Sequence, residues 1–148
     1  MGKRRRSRQT ALQLLYAAEF LGEPPSEIAR KLMETGQIAV GNWTSFCRDL
    51  TDKTLAQRET LDAEIKRVLA HWRLERLSKV DLMILRLALC EMREFPDIPI
   101  RVTLNEYIEL AKEFGTEDSS AFVNGILDRL GRQFAEKDFD PHERISED

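Results

Sequence analysis

Residues Ser78 to Met92 read SKVDLMILRLALCEM. The Ser-Lys-Val-Asp start fits a helix-capping box in which a short acid replaces the usual glutamate. The rest of the segment is apolar on nearly every side: Val80, Leu82, Met83, Ile84, Leu85, Leu87, Leu89 and Met92. A helix greasy all round is a buried central helix, so the remainder of the chain must wrap it. Arg86 and Glu91 interrupt the run and read as a rim or a paired ion. Pro96 and Pro99 end this helix and set the next start.

Outward from this segment, period-two alternation is nearly absent and helical stripes recur throughout. A first helix is predicted from about Ser7 to Leu21, with Ala11, Leu14, Leu15 and Ala18 inward and Gly22, Pro24 and Pro25 as its stop. A second runs from about Ser26 to Glu34. Residues 35–42 read as a connector, after which Asn42 or Thr44 caps a third helix carrying Phe46, Leu50 and Leu55. Thr60 caps a fourth, with Leu61, Ile65, Val68, Leu69 and Trp72 on its apolar side. Ser78 starts the fifth. The sixth carries Leu104, Tyr107, Ile108, Ala111 and Phe114 and closes at Gly115. The seventh starts near Asp118–Ser119 and carries Val123, Ile126, Leu127, Leu130 and Phe134. Gly125 inside it costs about 1 kcal/mol relative to alanine, which predicts close approach of another helix or a ligand. The expectation is an all-α bundle of seven helices. Residues 1–135 form one domain that splits near residue 75, and 136–148 form an acidic, flexible tail.

The chain has 148 residues, 42% hydrophobic and 33% charged, enough for a real core without staples. Its formal net charge is −3, yet Lys3, Arg4, Arg5, Arg6 and Arg8 put +5 into the first eight residues, leaving −8 on the rest. A basic start on an acidic body points to a local electrostatic task such as holding a polyanion. Cys47 and Cys90 lie far apart in apolar context and read as small core residues; His71 and His142 stand alone, so no metal site and no cofactor are expected. There is no signal peptide and no run long and uncharged enough to span a bilayer, so a cytoplasmic protein is expected. Phosphate loops, nucleophile elbows and metal-helix motifs are missing, and an enzyme is not expected.

The first helix carries the most informative face. Tyr16 lies roughly 150° from the centre of the inward stripe, beside Gln9, Gln13 and Phe20. If the helix extends back, Arg5 joins that face. Guanidinium forks suit phosphates and flat rings suit bases, so interleaved arginine and aromatic side chains fit single-stranded nucleic acid. The same spacing also fits Tyr16 and Phe20 packed on a neighbouring helix, with the arginines as a solvated tail. Phe122 lies about 95° off its helix's apolar stripe, with Asp118 one turn before it on the same side. That edge is either a second surface or the rim of the core.

RRRSRQTALQLLY (residues 4–16), LSKVDLMILRLALCEM (77–92) and DIPIRVTLNEYIELAKEFGTEDSSAFVNGILD (97–128) together resemble the NusB family of bacterial transcription antitermination factors, over Lys3 to Leu130. The resemblance implies two antiparallel three-helix sub-bundles, about 1–74 and 75–135, in an all-helical, non-enzymatic protein. It implies binding to boxA, a short single-stranded RNA element of ribosomal RNA leaders, jointly with the ribosomal protein NusE, in a complex with NusA, NusG and RNA polymerase. A homodimer that hides the RNA face is an alternative state of such proteins. By motif position, Lys3, Arg4, Arg5, Arg6, Arg8 and Tyr16 match the family's RNA-binding start. Phe114, Asp118 and Phe122 match a second RNA-facing region, and Glu75 and Asp81 match the acidic side that meets NusE. Three positions depart from the pattern: Ala121 replaces a common basic residue, Asp81 a frequent glutamate, and Thr103 a frequent alanine, where it is expected to act as a local cap. A NusB-like domain also begins certain ribosomal RNA cytosine methyltransferases, for whose methyl-donor domain 148 residues leave no room. The remaining alternative is a structural scaffold whose arginines are a solubilising tail.

Overall fold

The structure, a computed structural model, describes residues 2–69 and 74–138, with side chains to residue 134. Seven α-helices make up the described chain: α1 (Lys3–Leu21), α2 (Pro25–Glu34), α3 (Ser45–Ala56), α4 (Arg58–Val68), α5 (Lys79–Glu94), α6 (Ile100–Phe114) and α7 (Ser119–Asp138). Short 3-10 turns at Val40–Asn42 and Leu74–Arg76 complete it, and no strand occurs among the described residues.

Helix α5 is the axis. Ser78 caps it by accepting the Asp81 N–H at 3.0 Å. Every residue from Asp81 to Met92 is buried. Five helices, α1, α3, α4, α6 and α7, pack around it. Each large apolar side chain so enclosed stabilises the fold by about 1.5–3 kcal/mol relative to exposure. The charges that interrupt α5 are paired ions. Arg86 forks onto Asp62 of α4, with both bonds at 2.7 Å. Arg93 reaches Glu64 of α4, and Glu91 receives Arg8 of α1. A helix so enclosed thus uses its few charges to tie neighbours to itself.

Several boundaries differ from expectation. The first helix begins four residues early, at Lys3, because Gly2 is extended and its carbonyl already accepts from Arg5 and Arg6. Thr44, not Asn42, caps α3, accepting the Cys47 N–H at 3.0 Å. Thr60 lies inside α4, which starts after the single linking residue Gln57. Leu55 is 39% exposed. Nothing lies within 4 Å of a Cβ placed on Gly125, so no helix approaches there; the close approach is at Gly131, where that Cβ would lie 3.3 Å from the Leu104 side chain. The last helix continues past Ala135 to Asp138. The expected tail beyond it, with His142, lies outside the described residues, as do His71 and Trp72.

Candidate nucleic-acid interface

The amino end of α1 breaks a rule of helix electrostatics. A helix N-terminus carries a partial positive charge and favours acids, yet the first turn here holds no acid and three arginines follow Lys3. Local rules broken in this way point to sites that serve something other than stability. An external polyanion would relieve the repulsion.

The structure sorts the five basic residues. Arg8 is 3% exposed, inside the bundle. Its Nε and Nη2 donate to the two oxygens of Glu91 at 2.9 and 2.6 Å. Thr103 Oγ1 and Tyr107 Oη, both fully buried, donate to the same carboxylate at 3.1 and 2.8 Å. Glu91 thus takes four bonds from α1 and α6. Arg8 belongs to this network, which corrects its expected place among the RNA contacts: its fork is taken up by Glu91 and its side chain is almost wholly buried. Thr103 likewise is no local cap; it is a donor to Glu91. Arg5 is half-buried and forks onto Glu106 of α6 at 2.9 and 2.6 Å. That bond raises the pKa of Arg5 and holds the Glu106 carboxyl below its usual range. Arg4 is looser, 4.0 Å from exposed Asp97 and stacked over the Phe46 ring at 5.0 Å. Lys3 and Arg6 are exposed, with no side-chain partner among the described residues.

Along the outer face, Gln9 donates to Glu113 of α6 at 3.0 Å. Tyr16 is 39% and Phe20 60% exposed, and their rings meet at 4.9 Å. They pack on each other at the surface, which decides against the reading in which a neighbouring helix covers them. Phe114 follows Glu113 at the end of α6 and is 38% exposed. The chain then turns at Gly115, where a Cβ would meet Ser119 at 2.5 Å. Asp118 is exposed beyond that turn. Phe122 is half-buried and packs on the core.

The two acids expected on the partner side differ. Glu75 is exposed in the 3-10 turn before α5. Asp81 is buried in the first turn of α5, with its Oδ1 unpartnered. Its carboxylate complements the helix dipole and does not close the expected capping box. Cys47 and Cys90 are free and buried; burial pushes their pKa values to about 12 and about 11. No group of His, Cys, Asp or Glu among the described residues could hold a metal ion. No described helix is long and apolar enough to cross a membrane.

Fold and surface define an all-α bundle whose first helix has a basic tip and exposed aromatic rings further along. The sequence model of the NusB family matches residues 5–132. The chain belongs to the NusB family. It is 39% identical to the transcription antitermination protein NusB of Geobacter sulfurreducens, over 93% of this chain and 99% of that one. It is 45% identical to the NusB of Desulforudis audaxviator, over 86% and 92%. Among solved structures it resembles T. maritima NusB, with TM-score 0.77, 35% identity and coverage of 99% and 98%. It also resembles a crystal structure of the antitermination factors NusB and NusE in complex with dsRNA, with TM-score 0.78, 26% identity and coverage of 90% and 98%.

Proposed function

We propose that this chain is a transcription antitermination factor. It binds the boxA RNA of ribosomal RNA leader transcripts together with NusE and joins NusA, NusG and RNA polymerase in an antitermination complex. It acts by binding and not by catalysis, in the cytoplasm where transcription takes place. Residues 1–135 act as one domain, with sub-bundles of about 1–74 and 75–135 that share one core.

The observation that carries this reading is the open basic tip of α1, on a chain of this family, with Tyr16 and Phe20 exposed further along the same helix. Lys3, Arg4 and Arg6 supply phosphate contacts and a fast, salt-dependent approach. Arg5 joins them once its carboxylate partner yields. Tyr16, with Phe114 and Phe122, offers rings for bases, each stack worth about 1–3 kcal/mol. Asp118 and the glutamines give polar groups for base edges. So few open cations predict weak binding alone, and NusE, meeting Glu75 and Asp81, enlarges the RNA surface so that the two bind cooperatively.

Fluorescence anisotropy of a labelled boxA RNA, titrated with and without NusE and against a scrambled RNA, tests this. Selective binding strengthened by NusE is expected. Equal binding to both RNAs, or no effect of NusE, would overturn it.

A further inference from the structure

One arginine of the tip already holds an anion. Arg5 and Glu106 pair fork to fork, and the Glu106 side chain is only 16% exposed. Arg8 also approaches Glu106, with its Nη1 at 3.5 Å, but its fork is committed to Glu91. A carboxylate in that position offers Arg5 the same two-oxygen edge that a phosphodiester offers. Beside the pair lies a solvent-open cleft of about 340 Å³, bounded by Arg4, Arg5, Arg8, Asp97, Val102 and Glu106, large enough for a phosphate group.

We propose that Glu106 is an affinity-setting residue: its carboxylate occupies the Arg5 guanidinium as a built-in phosphate mimic, and an RNA backbone phosphate entering this cleft must displace it. The proposal rests on the RNA-binding reading above and names the residue that limits it. The Arg5 bond keeps Glu106 ionised, so the competition persists at neutral pH. It also has a signature in salt. When phosphate displaces a carboxylate, the freed carboxylate takes up a cation, so Arg5 adds little net counterion release. The wild-type chain therefore releases ions for Lys3, Arg6 and Arg4, whose 4.0 Å contact with exposed Asp97 is too loose and solvated to act as Glu106 does. With Glu106 neutral, Arg5 contributes fully, and the slope of log K against log salt steepens by about 0.7.

The test is a cycle of wild type, Glu106→Gln, Arg5→Ala and the double variant, each titrated with labelled boxA and scrambled RNA at several salt concentrations, with Glu109→Gln as a charge control on the same helix. Glu106→Gln should bind both RNAs about three- to tenfold more tightly, with the steeper slope. The gain should vanish in the Arg5→Ala background and exceed that of Glu109→Gln. A gain that survives without Arg5, an equal gain from Glu109→Gln, or weaker binding by Glu106→Gln would overturn the proposal. The Arg5 Nε–H signal in NMR of the wild-type chain gives a readout independent of any variant's folding. It should shift when RNA is added; an unchanged signal in the bound state would also overturn the proposal. Wild type binding boxA and scrambled RNA alike defeats the boxA assignment and leaves the latch standing, because phosphate contacts carry no sequence. Absence of RNA binding by every variant defeats both.

Discussion

Arg8→Met keeps the length of the side chain and removes its fork. Glu91 then loses two of its four donors and remains a buried carboxylate held only by Thr103 and Tyr107. Charge-assisted bonds contribute about 1.5–3 kcal/mol each, and breaking one side of a buried pair costs about 3–5 kcal/mol. Two lost bonds give about 3–6 kcal/mol, so the two routes overlap at about 3–5 kcal/mol. For a domain of this length that is a fall in melting temperature of roughly 10–20 °C. Arg8→Lys should also destabilise, by about 2 kcal/mol or more, because an ammonium cannot make two parallel bonds to one carboxylate. Adding Glu91→Gln to Arg8→Met should recover part of the loss, since the unpaired charge goes with it. Urea unfolding followed by circular dichroism measures all four chains. A loss below about 1 kcal/mol for Arg8→Met, or a double variant no more stable than Arg8→Met alone, would refute the reasoning. The Lys variant also separates two roles. At a solvent-facing phosphate contact, lysine would serve nearly as well as arginine and leave stability untouched.

Other predictions rest on other parts of the molecule. Tyr16→Ala should weaken boxA binding by about 1–3 kcal/mol with little change in melting temperature; unchanged affinity by anisotropy would remove Tyr16 from the site. Glu75→Lys, at an exposed position, should weaken NusE binding in calorimetry at least tenfold without altering the unfolding midpoint, and unaltered binding would exclude that face. Burial raises both thiols, and it raises the Tyr107 phenol above its usual value. Groups raised by folding stabilise below their unfolded values, about 8.5 for Cys and 10 for Tyr, and lose that contribution as pH climbs toward the folded ones. Stability should therefore fall from about pH 9 upward, and neither thiol should react with a thiol reagent until the chain unfolds. A flat stability curve to pH 11, or labelling of the native chain at pH 8, would contradict this.

The sequence shows α5 plainly, because a helix apolar all round has one place to go. It is less informative about the arginines, which look alike in RRRSR. Their fates depend on Glu91 and Glu106, 83 and 101 residues away. One local signal was present: on the helical wheel Arg8 lies about 20° from Leu15, on the inward stripe, whereas Arg6 faces out. Glu106 carried no signal of its own, since one acid among several on α6 becomes a latch only through the packing of α1 beside it. Gly125 misleads for the opposite reason. Its cost in a helix is local, but whether a neighbour approaches is tertiary, and here the neighbour meets Gly131. The angle of Tyr16 sets it off the core stripe, but whether a second helix covers that face is tertiary, and the structure leaves it exposed.

The central claim is that three open cations at the tip of α1 hold RNA phosphate. The most direct test is the salt dependence of boxA affinity for the wild-type chain and for Lys3→Ala/Arg4→Ala/Arg6→Ala. Three phosphate contacts to a single strand predict a slope of log K against log salt of about −2 for wild type, falling close to zero in the triple variant while the fold is retained. A slope left unchanged by the three substitutions would contradict the account and place the RNA elsewhere on the molecule.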